Sequence, residues 1–286
     1  MVNVLSCLRN IPDSPLNKLK VVVKSGTKVN KMGDSLEEYV KNCFANTFDD
    51  TKREENIRIH NELFSWMGNQ NNSPYLIIRG SDAIEVKKIE GVGSIALNSS
   101  YPKAKLSSSS DMITEGCKNC EGGGSWEKDV IYAIGTVSNT NEIKYLFFVY
   151  GSIYAASDNI YNRLRMKVKT GVNQIQGISF TGINELGKVK KVDPLGITDL
   201  RIRGMWSIQH PFKVYNYINE INEAKDTQNK YTIYALIPKS KFAEFYRNDI
   251  NALRRYSNMG LYNIRVKDPN NSANLVDAIL IKIILQ

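Results

Sequence analysis

The sequence has 286 residues, 42% of them apolar and 23% charged, enough apolar surface for a large packed core and too much for a disordered chain. Its net charge of +9 fits a polyanionic partner, most simply nucleic acid, because neutralising phosphate takes an excess of Lys and Arg; a plain compositional bias toward Lys and Asn gives the same balance. Cys7, Cys43, Cys117 and Cys120 are too few and too scattered for a disulfide framework and suit a reducing cytoplasm, and no apolar run has the length of a membrane span.

The first residues, MVNVLSCLRNIPDSP, lack the apolar centre of a signal peptide and are interrupted at Pro12 and Pro15. Residues 1–33 read as irregular, apart from a strand over Leu19–Val23. A helix is predicted from Asp34, where Ser35 and Glu38 have the capping-box spacing. Leu36, Tyr39, Val40, Cys43 and Phe44 then form one apolar stripe. At about 100° per residue Glu37 lies beside that stripe and Glu38 nearly opposite it. Glu37 is thus the acid able to reach a site at the edge of the core, or else an ordinary solvated glutamate.

A less regular segment over 49–73 ends in the polar run Asn69–Ser73 and leads into YLIIRGSDAIEVKKIE, Tyr75–Glu90. This reads as a strand, a tight turn at Arg79-Gly80-Ser81, and a second strand. Alternation puts Glu85 and Lys87 on one face of the second strand and Ile84, Val86 and Lys88 on the other. A carboxylate and an ammonium held side by side can hold a divalent metal and a water beside a phosphate, the arrangement of phosphodiester hydrolysis.

GVGSIALNSSYPKAKLSSSSD reads as a long polar loop suited to phosphate and base-edge contact, and Gly122-Gly123-Gly124 as a hinge. Val130–Val137 and Ile143–Tyr150 read as a hairpin joined by Ser138–Asn141, and Asp158–Lys169 as a basic helix. In DPLGITDLRIRGMWSIQHPF, Arg201 and Arg203 share one face of a short strand, able to reach guanine O6 and N7 in a major groove. Lys103 and Lys105, with Asn98 and Ser99, are the next DNA-contact candidates. The remainder reads as a polar helix, a strand at Tyr231–Ile237, a helix near Lys241–Tyr256 and a closing apolar strand.

E-x-K occurs at Glu85/Lys87, Glu142/Lys144 and Glu223/Lys225. The last lies in a polar segment, and Glu142 abuts a turn, although Asp129 makes that pair a rival. Glu85/Lys87 lies mid-strand among Ile84, Val86 and Ile89, where charge is costly unless used. His60 and His210 are far apart and accompany no nucleophile motif; His60 reads as structural. Cys117-x-x-Cys120 lacks the two further ligands at proper spacing that zinc needs.

A capped helix with an inward acid, followed by a hairpin carrying E-x-K, resembles the PD-(D/E)xK nuclease superfamily. The strings GDSLEEYVKNCF, SDAIEVKKIE, ALNSSYPKAKL and DPLGITDLRIRGMWSI resemble type II restriction endonucleases of the NgoPII kind, which cleave short GGCC palindromes. The resemblance runs from about Met32 to Pro211, and the C-terminal segment beyond Pro211 is matched to nothing. It implies an α/β fold with a restriction-endonuclease-like core, a central mixed β-sheet flanked by helices. It also implies one endonuclease domain over 1–286, with the catalytic core at about 30–150 and DNA recognition and the C-terminal region at about 151–286.

The superfamily places an acid on the first hairpin strand, often after a proline, to hold magnesium with the E-x-K acid. Here Tyr75 follows Pro74, and the nearest acid is Asp82, whose offset from Glu85 points it to the opposite face unless a bulge at Gly80-Ser81 turns it inward. The implied metal ligands are therefore Glu85 with Asp82 or Glu37, binding one or two Mg2+ ions, for which Mn2+ can substitute. Lys87 then orients the water or donates to the phosphate, and in-line attack leaves a 5′ phosphate. A palindromic target implies a homodimer on double-stranded DNA, and restriction implies a cognate DNA methyltransferase. The rival readings are a junction-resolving nuclease of the same fold and a non-catalytic DNA-binding protein whose acid site has decayed.

Overall fold

The computed structural model describes residues 1–15, 18–19, 28–69, 72–174, 186–190, 192–221 and 231–285, with the backbone alone for 28–34 and 173. Helices α1 (Val4–Asp13), α2 (Lys28–Ala45) and α3 (Arg53–Leu63) precede strands β1 (Phe64–Asn69), β2 (Asn72–Ile78), β3 (Ala83–Ile89), β4 (Ser94–Asn98) and β5 (Lys105–Ser107). A short helix α4 (Glu115–Lys118), strands β6 (Glu127–Val137) and β7 (Ile143–Tyr150), and helix α5 (Asp158–Asn173) come next. Strands β8 (Gly187–Val189), β9 (Leu200–Ile202) and β10 (Trp206–Gln209) lead to α6 (Pro211–Val214) and β11 (Tyr231–Pro238). Helices α7 (Lys239–Phe242) and α8 (Arg247–Leu253) and strands β12 (Met259–Asp268) and β13 (Asn271–Leu285) complete the chain.

The core is a mixed sheet of nine strands in the order β1-β2-β3-β6-β7-β11-β13-β12, with β5 paired onto β6. The β3–β6 and β7–β11 pairs are parallel and the others antiparallel. Central strands read as near-continuous apolar runs because both faces are covered: every residue of β11 is buried. On one face α2 lies across β6, with Leu36 over Gly135. On the other, the segment carrying β10 and α6 crosses the sheet, His210 Nε2 bonding Thr136 Oγ1 at 3.0 Å and Phe212 packing edge-on against Phe147. Helices on both faces of a central mixed sheet are the architecture that the sequence implied.

Several expectations are corrected. The first residues are not irregular: α1 buries Val4, Leu5, Cys7, Leu8 and Ile11, and Asn3 Oδ1 accepts from the backbone N–H of Leu5 and Ser6 to cap it. Helix α2 starts at Lys28, so Ser35 and Glu38 lie inside it and form no capping box. The stretch after Glu90 is not a bare loop. Strand β4 alternates exposed and buried residues, sinking Ile95 and Leu97 into the core, and pairs with β10. The helix expected near 241–256 is broken into α7 and α8, and the closing strand is a hairpin, β12 with β13. The strand expected at Leu19–Val23 lies mostly outside the described residues, as do Glu223 and Lys225.

Gly135 is a test of this packing, since a Cβ there would stand 2.6 Å from Leu36 Cδ2. Gly135→Ala is expected to lower stability by about 1–3 kcal/mol, and adding Leu36→Val to return part of the loss, read by urea unfolding.

Candidate active site

Strand β3 is hydrogen-bonded on both sides, to β2 and β6, which fixes where its side chains point. Ile84 and Val86 are buried on one face. Glu85 and Lys87 project from the other and meet, Lys87 Nζ standing 2.6 Å from Glu85 Oε1, with the lysine side chain 21% and the glutamate 16% exposed. The pair is therefore sheltered yet reachable. Ser73 Oγ donates to the second carboxylate oxygen, Oε2, at 2.8 Å. Both oxygens of Glu85 thus have a donor, which fixes the carboxylate's rotation. Sequence reasoning missed Ser73: a serine before a proline carries no signal of this role. The β2–β3 register, Leu76 opposite Ile84, continues to Tyr75 beside Glu85, where the superfamily acid was expected.

This pair opens onto a cavity of about 400 Å³ that also receives Glu37 from α2. Glu38 turns away and pairs with Lys41 at 2.7 Å, so the helical spacing placed the two glutamates correctly. Asn98 and Ser99, at the end of β4, line the same cavity, and so does Arg203. Asn98 has a φ of 55°, a left-handed conformation that asparagine tolerates, ending β4 at the cavity wall.

Asp82 is not at this site. Register carries Ile84 to Ile131 and Ile131 to Tyr150, placing Tyr150 on the face opposite Glu85, and Asp82 Oδ2 accepts from Tyr150 Oη at 2.9 Å. No bulge turns it inward. Its other oxygen is 3.4 Å from Lys241 Nζ, which also meets Asp129 at 2.9 Å and Glu244 at 3.3 Å. Burial raises the Asp82 carboxyl above its usual range more than Lys241 and Tyr150 pull it down. Burial lowers the Lys241 ammonium, but the Asp82 and Asp129 carboxylates beside it outweigh that and raise it.

The remaining candidates divide. Arg201 lies in β9 opposite Lys188 on a two-stranded arm, whereas β9 stops at Ile202 and leaves Arg203 beyond it. Arg203 lines the cavity and Arg201 does not. Lys103 points inward, its ammonium 3.3 Å from Asp158 Oδ2 and 4.5 Å over the Tyr101 ring, and Lys105 pairs with Glu127 at 2.7 Å. Glu142 and Lys144 are at the start of β7, away from the cavity, and Asp129 is taken up by Lys241. Cys117 is buried with Cys120 beside it, and among the described residues no group of three or more His, Cys, Asp or Glu side chains is placed to hold a metal.

A sequence model of the NgoPII restriction endonuclease family matches residues 2–267. The chain is 39% identical over 282 residues to the "Type II restriction enzyme NgoPII" of Neisseria gonorrhoeae, covering 98% of this chain and 99% of the relative. The chain belongs to the NgoPII restriction endonuclease family. The family model reaches Lys267 and the likeness to the Neisseria enzyme covers nearly the whole chain, so both pass well beyond Pro211. No solved structure matches.

Within this family member the donors at the cavity suit a hard cation. Glu37 and Glu85 bring two carboxylate residues to the cavity lining, and Asn98 lines it as well. Magnesium is commonly held by one or two carboxylates, with waters and substrate phosphates completing its shell. The residues present fit that arrangement, with Asp82 removed from the ligand set.

The histidines are structural. His60 Nε2 lies 2.7 Å from Thr47 Oγ1. His210 Nδ1 accepts from Phe212 N–H at 3.2 Å, so Nε2 carries the proton toward Thr136. Burial, helped by Lys213, pushes His210 down to about 4.

These buried groups can be tested directly. Lys241→Met leaves the Asp82 carboxylate unpaired and is expected to cost about 3 kcal/mol, measured by urea unfolding, with Asp82→Asn in the same chain restoring part. Because the folded His210 value of about 4 lies below the unfolded imidazole value of about 6.5, the unfolded chain takes up the extra proton, and stability falls as pH drops between them. His210→Asn keeps an acceptor for Phe212 N–H and is expected to flatten that part of a melting-temperature profile.

Proposed function

We propose that this restriction endonuclease cuts both strands of duplex DNA with magnesium, within a short GC-rich palindrome of the GGCC kind, leaving 5′-phosphate ends. The observation that carries the reading is Glu85, held between Lys87 and Ser73 on a strand hydrogen-bonded on both sides and facing the cavity that Glu37 shares. Glu85 and Glu37 hold the metal. When bound, magnesium lowers the pKa of a coordinated water and offsets charge on the phosphate. Lys87, rigid on β3, donates to a phosphate oxygen as charge builds on it. Ser73 keeps the Glu85 carboxylate in one orientation through the reaction. Water attacks phosphorus in line, the bond to the 3′ oxygen breaks, and that oxygen takes up a proton.

Chemistry falls to about residues 30–150, and DNA contact draws mainly on 151–286. Arg201 on the β8–β9 arm contacts base edges, Asn98 and Ser99 contact the strand beside the cavity, and Lys103 and Lys105 exchange their carboxylate partners for phosphate. A palindrome presents the same half-site on both strands, so the enzyme acts as a homodimer with two-fold symmetry. A cognate DNA methyltransferase modifies the same site in the host. The enzyme works in the cytoplasm, in keeping with four cysteines outside any disulfide; among the described residues no helix is long and apolar enough to cross a membrane.

Digestion of phage DNA with magnesium is expected to give discrete bands from the wild type, no bands from Glu85→Ala or Lys87→Ala, and cutting slowed about 100-fold in Glu37→Gln. Tight binding to DNA without cutting under magnesium or manganese would instead favour a decayed binder, the reading that Tyr75 in the superfamily's acid position raises. Cutting of branched DNA regardless of sequence would favour a junction-resolving enzyme.

A further inference from the structure

Arg201 and Arg203 are two residues apart in sequence but are placed in different settings. Arg201 stands on the β8–β9 arm with Lys188 directly across from it, two cations side by side on a surface hairpin. Asp199, 2.7 Å from Lys188 on the same arm, pairs with that lysine. Arg203 lines the reaction cavity together with Glu37, Glu85 and Lys87.

The backbone around Arg203 is fixed on both sides. Leu186 N–H donates to Ile202 C=O at 2.8 Å. Strand β10 then pairs with β4, placing Trp206 opposite Asn98, so the arm returns to the cavity wall. Arg203 is thus presented between two anchored points, not on a free loop.

We propose that Arg203 is a catalytic residue that contacts the scissile phosphate, and that base contact falls to Arg201 alone. The assignment rests on the nuclease reading above. Arg203 lines the cavity that also holds the E-x-K pair, where the phosphate of the proposed reaction enters, and a guanidinium can offer two parallel N–H donors to two phosphate oxygens. No bond to Arg203 forms or breaks. Its contribution is to charge growing on the non-bridging oxygens as water attacks and the 3′ oxygen leaves, beside the single ammonium of Lys87. The cavity then holds two carboxylates for the metal and two cations for the phosphate.

The test uses the full-length protein and a fluorescent duplex carrying the site mapped from wild-type digestion of phage DNA. Cleavage is followed with enzyme in excess, and binding of the same duplex by anisotropy in EDTA. Arg203→Ala is expected to slow single-turnover cleavage about 100-fold, while affinity falls by less than about tenfold, as for one phosphate contact among many. Added guanidinium ion is expected to restore part of the rate, and Arg203→Lys, which keeps the charge but not the fork, to fall between the two. Arg201→Ala is expected to weaken binding and relax sequence preference with a smaller change in rate at saturation. An Arg203→Ala enzyme that cuts at the wild-type rate but at additional sequences would overturn the assignment in favour of base reading. So would a loss confined to affinity in both Arg203 variants. Should the wild type itself cut nothing, the nuclease reading and this assignment fall together, an outcome told apart by that single control.

Discussion

A strand inside a sheet offers its side chains only two directions, one residue in two to each, and β3 uses both. Ile84 and Val86 belong to the core beneath α2, while Glu85 and Lys87 face the cavity. Because β6 pairs with the strand from Ala83 to Ile89 and β2 with Ala83 and Ile84, the two sets share one fixed backbone. The acid and the ammonium therefore lose little freedom when substrate arrives, since folding has already ordered them. The same parity decides which other residues can take part. Glu37 reaches the cavity from a helix, and Ser73 from the neighbouring strand, but Asp82, at an odd offset from Glu85, is sent to the far face.

The fates of Glu85 and Asp82, three residues apart, show how environment separates chemistry from architecture. Glu85 has a serine and a lysine at the wall of an open cavity. Asp82 is buried at 2% exposure against a tyrosine and a lysine from α7, far along the chain. A buried carboxylate with a matched cation joins two distant pieces of chain, and its burial costs are offset only while that partner stays. Asp82 thus ties the β2–β3 hairpin to the C-terminal third of the molecule.

What the sequence made legible depends on how each signal arises. The β2–β3 hairpin and the bounds of β7 were readable because runs of Ile, Val and aromatic residues end at turn formers. Glu37 was readable because helical angle is a local property. Strand β4 was not, since only Ile95 and Leu97 carry its apolar pattern amid Ser and Asn, and its pairing partner β10 lies more than a hundred residues on. Helix α1 was hidden by Pro12, which its last turn accommodates, and by Pro15 just beyond its end. Ser73 and Lys241 are functional or structural through contacts that only the fold brings about. That Arg203 and not Arg201 lines the cavity depends on how the β8–β9 arm returns to β4, a long-range contact with no local signal.

The parallel pairing of β7 with β11 has a consequence for how the chain is made. Strand β7 is the fifth along the sheet, yet one of its edges stays bare until residues 231–238 leave the ribosome, and β11 in turn waits for β13. An apolar strand with an unpaired edge is a template for association with other chains. Contacts this distant in sequence also form slowly, because long loops must close before they are rewarded. The growing polypeptide thus carries an apolar strand half-paired while the residues between β7 and β11 are made, and the pairing of β11 is completed only with β13.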